Sequence, residues 1–398
     1  MDYENITTDN QLRDYARALG SCDWIAFDTE FVSEHTYRPV LCLVQVAAGG
    51  RLAVIDALAV GDMHPFWEAI VAGDHETIVH AGRGEMEFCL HAVNGLPARL
   101  FDVQVAAGLA GLEYPAGYGA LISKLLGESS QKHETRTDWQ QRPLSRRQIE
   151  YALADVHFLS PIRDALHARL AAQGRLSWLE EEMATRREEI RRALSHERWR
   201  RVSGNSGLDA RSLAIVRELW KWRDGEARRR DQPARRILRD DLIIELAKRQ
   251  TADPKRIRAL RGMERGDLLR RLGELAAAIQ RALALPDEQC PPRAPREPSP
   301  QLSVLGQFLF AALGSVCRQA QLAPNLVGTP GDIRDLIAHR TTPGHDHRRP
   351  PQLARGWRAE FVGRLFDDLL AGKTSIRIGE PTSDCPLVFE PTGKAAAE

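Results

Sequence analysis

The chain has 398 residues, 43% of them hydrophobic, and a formal net charge of +1 that comes from nearly equal numbers of acidic and basic side chains. This length allows about two or three domains with hydrophobic cores. A membrane-spanning protein is excluded, because no apolar run approaches the roughly 20 residues that a spanning helix needs.

The N-terminus and the cysteines indicate a protein of the cytoplasm. Residues 1–5 are acidic and polar, unlike a secretory signal peptide. The cysteines are scattered and form no Cys-x-x-Cys pair, so we expect reduced thiols and neither a zinc site nor a disulfide framework. They are Cys22, Cys42, Cys89, Cys290, Cys317 and Cys385.

Apolar runs and their spacing predict strands and helices in alternation over the first 170 residues or so. The predicted strands are Trp24–Phe31, Leu41–Ala47, Leu52–Ile55 and Thr77–Ala81. The predicted helices are Pro65–Val71, Glu85–Ala92, Val103–Gly111, Tyr118–Leu126 and Ser145–Leu170. Strand–turn–strand followed by strand–helix units indicates an α/β domain, in which a mixed sheet is flanked by helices on both faces.

The first predicted strand ends in two carboxylates, Asp28 and Glu30. Residues i and i+2 of a strand point to the same face, so these two acids leave the sheet together. They repel each other unless a positive group lies between them, and a divalent cation with oxygen ligands meets that need. The alternative is a strand end that turns into solvent, where two acids cost little.

A second pair, Tyr151 and Asp155, lies on the last predicted helix of this domain. At positions i and i+4 the two side chains lie one turn apart on one helix face. The carboxylate could bind a metal ion while the phenol holds a water molecule beside it. The alternative is a half-buried tyrosine and an exposed aspartate on an ordinary amphipathic helix.

Taken in order along the chain, these motifs resemble those of the ribonuclease D family, the DEDD 3′-5′ exonucleases with a tyrosine in the last motif. The resemblance covers nearly the whole chain and implies a ribonuclease H-like fold for the first domain. The matching segments are Phe27–Phe31, Thr36–Pro39, Leu43–Val46, His80–Gly82, Leu100–Asp102, Lys132–Trp139 and the pair Tyr151 and Asp155.

The resemblance implies a catalytic site in which Asp28, Glu30, Glu85 and Asp155 hold two Mg²⁺ or Mn²⁺ ions. Two ions about 3.5–4 Å apart can clamp the attacking and leaving oxygens of a phosphodiester during an in-line displacement. Tyr151 would orient the attacking water. The implied product is a 5′-mononucleotide, released one at a time from a 3′ end.

Glu85 departs from the family pattern, which has an aspartate five residues after the histidine that matches His80. The extra methylene displaces the carboxylate by roughly a bond length, and Mg²⁺ sites tolerate only small deviations. Glu85 could bind after a small shift, Glu87 or Asp102 could replace it, or the second ion could be weakly held. We favour Glu85, since it matches the position at a predicted helix start; His80 and Asp102 are candidates for a supporting role.

The middle of the chain is basic. Between Arg186 and Arg271 it has 26 Lys and Arg against 14 Asp and Glu, which leaves 29 against 40 elsewhere. An acidic metal site joined to a basic segment suits an enzyme that holds a polyanion. Alternating charges, as in Arg186–Arg192, indicate solvated helix faces instead. The predicted phosphate contacts are the clusters without intervening acids, namely Arg228, Arg229, Arg230, Arg235 and Arg236.

Two tryptophans in this segment are candidates for base stacking. Trp220 and Trp222 could stack on bases. At positions i and i+2 of a helix they cannot both face one groove, so one of them belongs to the core. Trp222 is the candidate RNA contact.

The second half of the chain is predicted to be helical, with a long charged connector helix, Trp178–Trp199, and a break at Ser203–Gly207. The helices predicted beyond the break are Arg211–Arg230, Asp240–Ala247, Asp253–Ala259, Glu264–Leu285 and the buried Leu302–Phe310. Two helical units there resemble the paired HRDC domains of the family, and Trp220–Asp224 carries the clearer match. His345-Asp346-His347 lies in a loop rich in Pro, Gly and Arg, so we interpret it as a solvated loop and not as a metal site.

These patterns divide the chain into six predicted segments. The segments are a 3′-5′ exonuclease domain (1–171), a connector helix and linker (172–207), a first HRDC domain (208–288), a Pro-rich semi-rigid linker (289–300), a second HRDC-like domain (301–372) and a poorly ordered tail (373–398).

The leading hypothesis is a monomeric cytoplasmic 3′-5′ exoribonuclease with no membrane partner. It would trim RNA precursors that end in single-stranded 3′ tails, with tRNA precursors as the expected substrate, while the HRDC units grip the RNA body. One alternative is a 3′-5′ exonuclease that acts mainly on DNA, since DEDD enzymes act on both polymers. The other is a catalytically weak RNA-binding protein, in which Glu85 replaces the family aspartate and the second ion is no longer held.

Overall fold

The computed structural model describes residues 1–129, 137–195, 198–293, 300–341 and 350–392. The chain forms two compact units. The first unit comprises Met1–Glu30, Leu43–Arg191 and Pro298–Glu398, and the second comprises Phe31–Cys42 and Arg192–Glu297. No helix among the described residues is long and apolar enough to cross a membrane.

The regular elements alternate in the first half of the chain and are mainly helical in the second. The strands are β1 (Glu4–Ile6), β2 (Trp24–Val32), β3 (Val40–Ala48), β4 (Arg51–Asp56), β5 (Glu76–Val79), β6 (Arg99–Asp102), β7 (Thr374–Ile378) and β8 (Leu387–Pro391). The helices are α1 (Asp9–Leu19), α2 (His64–Ala72), α3 (Arg83–Val93), α4 (Val103–Leu109), α5 (Tyr118–Leu126), α6 (Arg146–His157), α7 (Leu159–Ala172), α8 (Leu176–Ser195), α9 (Ala210–Arg230), α10 (Ala234–Ile237), α11 (Asp240–Arg249), α12 (Pro254–Arg258), α13 (Gly266–Leu269), α14 (Leu272–Leu283), α15 (Pro300–Gln319), α16 (Pro324–Val327), α17 (Pro330–Thr341), α18 (Gly356–Arg358) and α19 (Arg364–Leu370).

A six-stranded mixed sheet, in the order β1-β4-β3-β2-β5-β6, organises the first unit. Strand β2 pairs in parallel with β5, β5 with β6 and β1 with β4, whereas β3 and β4 are antiparallel. Because β2 lies inside the sheet, Ile25, Ala26 and Phe27 are fully buried. The predicted mixed sheet with flanking helices is therefore confirmed.

Three elements near the N-terminus and the sheet edge were not predicted from the sequence. Strands β1 and β6 are three and four residues long, too short for a clear alternating pattern. Helix α1 is largely polar, but Thr8 and Gln11 form a capping box at its start. That Thr-x-x-Gln spacing is a sequence signal for a helix N-terminus, and it could have identified α1.

The single helix predicted over Ser145–Leu170 is wrong, because the structure divides it into α6 and α7 at Phe158. The hydroxyl of Tyr118 lies in the break: it donates to the Ala154 carbonyl at 3.3 Å and accepts from the Phe158 amide at 3.2 Å. These are the two groups that an uninterrupted helix would join directly. A side chain inserted into the hydrogen-bond ladder is a known cause of helix breaks.

The C-terminal helices α15–α19 belong to the first unit. They share one hydrophobic cluster with α4, α5, α7 and α8, and Trp357 and Phe366 are among its largest buried side chains. Helix α15 is not wholly buried as its apolar sequence predicted, since Val304 and Phe308 are 68% and 50% exposed. Packing on this core covers only one face of the helix.

A buried ion pair joins α8 to α18 within this cluster. The Arg358 guanidinium donates to Glu182 at 2.7 Å and to the carbonyls of Leu326 and Val327, each at 2.9 Å. Burial by itself would raise the pKa of the Glu182 carboxyl, but the hydrogen bond and charge of Arg358 hold that pKa below its usual value. The pair is therefore ionised, and the bonds to carbonyls offset the cost of desolvating the arginine.

The second unit is helical, with α9, α11 and α14 packed around their own core. The segment Phe31–Cys42, which follows the acidic end of β2, also belongs to this unit. Its Tyr37 hydroxyl donates to Asp224 at 2.9 Å, and the Tyr37 amide donates to Asp231 at 3.0 Å. Helix α9 therefore holds this segment by both its backbone and a side chain.

The prediction of a poorly ordered tail after Gly372 is wrong for residues 374–391, where β7 and β8 form an antiparallel pair. A two-stranded ribbon rests on backbone pairing, which the Pro- and Thr-rich composition did not indicate. Residues 393–398 of that tail lie outside the described residues. So do Lys132–Arg136 of the Lys132–Trp139 segment, residues 294–299 of the predicted linker, and His345-Asp346-His347.

Replacement of the buried arginine tests how much the α8–α18 contact stabilises the first unit. We expect Arg358→Ala to lower the free energy of unfolding by about 3 kcal/mol, because the buried Glu182 keeps only Arg186 as a cationic partner and the carbonyls of Leu326 and Val327 lose their donor. Urea unfolding followed by tryptophan fluorescence would measure the loss, since Trp178 and Trp357 stack beside the pair with ring centroids 5.1 Å apart.

The matched control is Arg377→Ala, which breaks an ion pair with Glu390 whose side chains are 57% and 46% exposed. An exposed pair contributes about 1 kcal/mol or less. Equal losses in the two variants would contradict the stabilising role of the buried pair.

Candidate active site

The carboxyl end of β2 presents Asp28 and Glu30 on one face of the sheet. Both side chains are half-buried. The pKa of Asp28 is raised well above its usual value, first by burial and then by the charges of Glu85, Asp155 and Glu30. Burial and the charges of Asp155 and Glu85 raise the pKa of Glu30 to about 8. Acids from separate parts of the chain therefore act on one another here.

Glu85 lies in the first turn of α3 and is only 6% exposed. Its carboxylate accepts a hydrogen bond from the Thr29 hydroxyl at 2.7 Å and also lies in hydrogen-bonding contact with Asp28. Burial raises the pKa of Glu85, and the charge of Asp102 adds to the rise, while the bond from Thr29 opposes it. The longer side chain thus reaches β2, where Thr29 holds one of its oxygens.

Gln45 on β3 supports Asp28 from the neighbouring strand. Its amide nitrogen donates to Asp28 at 3.2 Å, and the residue is fully buried. The amide oxygen of Gln45 has no hydrogen-bond partner among the residues that the structure describes. A buried acceptor without a donor beside several carboxylates suits a site that takes up a polar or cationic guest.

Helix α6 presents Tyr151 and Asp155 one turn apart. A capping box between Ser145 and Gln148 begins the helix, and the Tyr118 hydroxyl ends it just after Asp155. The Tyr151 hydroxyl is hydrogen-bonded to Asp155. Burial, followed by the charges of Asp155 and Glu30, raises the pKa of Tyr151 far above its usual value, so the phenol stays protonated at neutral pH.

The backbone before α3 is held by Asp102, at the N-cap of α4. One Asp102 oxygen accepts from the amides of Ala81 at 3.0 Å and Gln104 at 2.9 Å, and the other accepts from the Gly82 amide at 3.2 Å. Ala81 has a φ of +55°, in the left-handed region that costs a non-glycine residue free energy. Asp102 therefore stabilises the strained turn that aims α3, and with it Glu85.

The other acidic and histidine candidates contribute less directly. The His80 ring contacts the Ala116 carbonyl at 2.9 Å and lies beside Tyr118. Glu87 is half-buried and accepts a hydrogen bond at 3.1 Å from Arg83, one turn earlier on α3. The structure thus brings Glu85, and not Glu87, to the carboxylates of β2.

The donor set fits a hard divalent cation. All the clustered ligands are carboxylate oxygens, and their raised pKa values show that a positive charge is needed to keep them ionised together. Among the described residues, no three His, Cys, Asp or Glu side chains already enclose an ion-sized space. The hydrogen bonds from Thr29 and Gln45 occupy carboxylate oxygens, and binding of an ion requires that they be shared or released.

The arginine clusters predicted to contact phosphate lie on the second unit, and their surroundings differ from the prediction. Arg229 and Arg230 pair with the buried Glu226, which also pairs with Arg271 at 2.8 Å. No acid interrupts the run of arginines in the sequence, but Glu226 lies beside Arg229 and Arg230 in the structure, because it is one helical turn earlier on α9.

The remaining predicted RNA contacts are also engaged. Arg228 bonds Asp224 and Tyr37, each at 3.3 Å, and Arg235 pairs with Asp240 at 3.2 Å. Arg236 contacts the His35 ring at 3.2 Å. Trp222 donates its indole N–H to Glu274 at 2.8 Å, and both Trp220 and Trp222 are half-buried against the core of the second unit.

Thr29, Gln45 and Tyr118 were not identified as site residues from the sequence. Thr29 lies between the two acids of β2, and Gln45 is a polar residue inside the apolar run of β3, which is itself a signal of a buried polar role. Tyr118 had no such signal, since an aromatic residue at a helix start is ordinary. Its function depends on where α6 passes, which the local sequence does not specify.

Comparison with known families matches most of the chain. The model of the 3′-5′ exonuclease family matches residues 3–171, and that of the HRDC domain matches residues 212–279. The chain is 36% identical over 376 residues to ribonuclease D of Acidiphilium cryptum, which is 93% of this chain and 94% of that protein. It is 35% identical over 376 residues to ribonuclease D of Gluconacetobacter diazotrophicus, at 92% of each.

A solved structure matches at the same extent. The crystal structure of Escherichia coli RNase D, described as an exoribonuclease involved in structured RNA processing, aligns with a TM-score of 0.80 and 28% identity, over 94% of this chain and 99% of that chain. The matched HRDC range lies within the predicted first HRDC domain, residues 208–288. The HRDC-like nature of residues 301–372 stays a prediction.

Removal of the Asp102 carboxylate tests its hold on the strained turn. We expect Asp102→Ala to lower the free energy of unfolding by about 2–3 kcal/mol, because three backbone amides lose their acceptor. Ala81→Gly should recover about 1 kcal/mol of this, since glycine adopts the left-handed region without that cost. Chemical denaturation of both single variants and of the double variant would measure this, and an Asp102→Ala protein as stable as wild type would contradict the role.

Proposed function

The chain belongs to the ribonuclease D family and is a 3′-5′ exoribonuclease, and from that premise we propose that Asp28, Glu30, Glu85 and Asp155 hold two divalent metal ions at its catalytic site. Exonucleases of this family depend on divalent metal ions. The observation that carries the proposal is the electrostatic coupling of these carboxylates, which three separate elements bring together. The family resemblance predicted from the motifs is confirmed by the matches over most of the chain.

The residues of the site have different roles in the proposed hydrolysis. When bound, the ions activate a water molecule and neutralise charge on the phosphate and on the leaving oxygen. Tyr151 remains a protonated phenol hydrogen-bonded to Asp155, so it positions the attacking water and does not act as a base. Thr29 and Gln45 orient Glu85 and Asp28. Hydrolysis releases a 5′-mononucleotide and leaves a new 3′-hydroxyl on the shortened RNA.

The substrate that we propose is an RNA precursor with a single-stranded 3′ tail, such as a tRNA precursor. The relative in Escherichia coli is described as acting in structured RNA processing, and a matching HRDC domain follows the exonuclease domain here. The side chains of Arg228, Arg229 and Arg235 are 66%, 66% and 76% exposed, so they remain candidate RNA contacts. We expect the chain to act as a monomer.

A catalytically weak RNA-binding protein is the second candidate, because Thr29 binds the Glu85 carboxylate that should serve as a ligand. Contact between Glu85 and Asp28 supports the active enzyme instead. A third candidate is an exonuclease that acts mainly on DNA. Cleavage of matched RNA and DNA substrates tests it, since discrimination between the two polymers requires contacts to the 2′-hydroxyl.

The decisive experiment follows cleavage of a 5′-labelled RNA hairpin with a single-stranded 3′ tail, beside the equivalent DNA. We expect a ladder that shortens from the 3′ end with Mg²⁺ or Mn²⁺, is weaker on DNA and is absent with EDTA. Asp28→Asn should slow cleavage by roughly three orders of magnitude without unfolding the protein, because a neutral amide replaces an anionic ligand of the ions.

The variant Glu85→Asp distinguishes the candidates in this assay. If wild type and Glu85→Asp cleave the RNA at similar rates, the result supports Glu85 as a working ligand. An inactive wild type together with an active Glu85→Asp protein would show that the longer side chain silences the site, and RNA binding would then be the function. Full activity of Asp28→Asn would contradict the metal-site assignment.

The metal-free protein should lose stability as the pH rises. The folded-state pKa of Glu30 is about 8, against an ordinary value of 4.5. Between these values the unfolded chain releases the proton while the folded protein retains it, so the free energy of unfolding falls with increasing pH. Bound Mg²⁺ should reduce the slope, because the ligands are then held ionised.

Thermal unfolding between about pH 5 and pH 8, in EDTA and in Mg²⁺, would measure this slope. The difference between wild type and Glu30→Gln isolates the contribution of Glu30 from that of other titrating groups. If the two proteins gave the same pH dependence in EDTA, the raised pKa of Glu30 would be refuted.

A further inference from the structure

The stretch Arg249–Arg270 of the second unit joins α11 to α14 and carries a charge that its own acids do not neutralise. It contains seven Lys and Arg against three Asp and Glu. Five of these cations are exposed and form no ion pair with any residue that the structure describes. We call these five the basic ridge: Arg249, Lys255, Arg258, Arg261 and Arg270.

The acids of this stretch are occupied elsewhere. Asp253 caps α12 by accepting from the Lys255 amide at 2.9 Å. Glu264 accepts from the Gly262 amide at 2.7 Å and closes the following turn. Asp267 pairs with Arg265 at 2.7 Å. Because each carboxylate has a structural partner, the side chains of the ridge are left to solvent or to an external anion.

Buried apolar side chains fix the backbone under the ridge. Ile257, Leu260, Met263 and Leu268 are each 6% exposed or less. On α12, Lys255 and Arg258 are three residues apart and lie on one helix face, one turn from each other. The ridge is therefore presented by an anchored backbone, which lowers the entropy lost when a ligand is bound.

The ridge differs in this respect from the arginines of α9 and α10. Arg229 and Arg230 share Glu226, and Arg235 is bound to Asp240. A guanidinium group in such a pair must give up or share its carboxylate before it can bind a phosphate. The cations of the ridge have no such partner to lose, which favours them as phosphate contacts.

The composition of the stretch indicates which part of a nucleic acid it can recognise. Residues 249–270 include no Phe, Tyr or Trp. Recognition of single-stranded RNA relies on aromatic side chains that stack on unpaired bases. Cations without aromatic neighbours bind phosphates irrespective of sequence, as the backbone of a base-paired stem requires.

We propose that the basic ridge binds the sugar-phosphate backbone of a base-paired RNA stem, and so holds the folded body of the substrate during trimming. This inference rests on the proposed function, in which the substrate is an RNA with a folded body and a single-stranded 3′ tail. It assigns that body to α12 and its flanking turns, and not to the paired arginines of α9 and α10.

The test compares two charge-matched double variants of the full chain. Arg258→Gln with Arg261→Gln removes two cations of the ridge. Arg239→Gln with Arg281→Gln removes two cations that are 61% and 59% exposed but pair with Asp241 and Glu218. Binding of a blunt RNA hairpin and of a single-stranded RNA of equal length would be measured in EDTA over a range of salt concentrations.

We expect the ridge variant to bind the hairpin about tenfold more weakly or worse. The slope of log affinity against log salt should fall by about 0.9 for each phosphate contact that is lost. The control variant should keep its hairpin affinity within about twofold, and binding of the single strand should change equally little in both. Equal losses of hairpin affinity in the two variants would show that only the net charge of the protein matters, and would overturn the proposal. A loss confined to the single strand would overturn it too.

Cleavage of a short single-stranded RNA with Mg²⁺ separates this inference from the proposed function. If the wild type cleaves the short RNA but the ridge variant binds the hairpin normally, the ridge proposal is refuted and the proposed function stands. A wild type that cleaves nothing refutes the proposed function, and the binding comparison still decides the ridge.

Discussion

Mutual repulsion among clustered carboxylates is the constraint on which the proposed catalytic site of this protein depends. Asp28 and Glu30 come from a central strand, Glu85 from the first turn of a helix, and Asp155 from a helix of another layer. Glu30, Glu85 and Asp155 raise the pKa of Asp28, and the last two also raise the pKa of Glu30, so the cluster opposes folding unless its charge is neutralised by protons or by cations. Burial of the strand and the anchoring of both helices offset this cost and hold the acids together in the cluster that we propose binds divalent ions.

Several neutral side chains determine how that cluster is arranged. Thr29 and Gln45 bind carboxylate oxygens, and Tyr118 ends α6 just beyond Asp155 by inserting into its hydrogen-bond ladder. Asp102 secures the strained backbone at Ala81 and so aims α3. The substitution of glutamate for the family aspartate fits this arrangement, because the longer side chain of Glu85 reaches both Thr29 and Asp28.

Charge is distributed differently in the second unit. Acids there neutralise the arginines of α9 and α10, where Glu226 alone contacts Arg229, Arg230 and Arg271. In the stretch between α11 and α14 two of the three acids cap a helix or close a turn, and five of the seven cations are exposed without an ion-pair partner among the described residues. A count of charges along the chain cannot distinguish these two cases, because the partner of a cation is chosen by the packing of the helices.

The sequence by itself determined the α/β first domain, the helical second half, the family, and the pairs Asp28 with Glu30 and Tyr151 with Asp155. These follow from periodicity and from residues two or four apart, where local geometry decides which side chains share a face. Only the tertiary structure decided that Glu85 reaches β2, that Tyr118 divides the last helix of the domain, and that α15–α19 share a core with the first domain. Those contacts join residues far apart in the chain, so they depend on how complete elements pack and not on any local pattern.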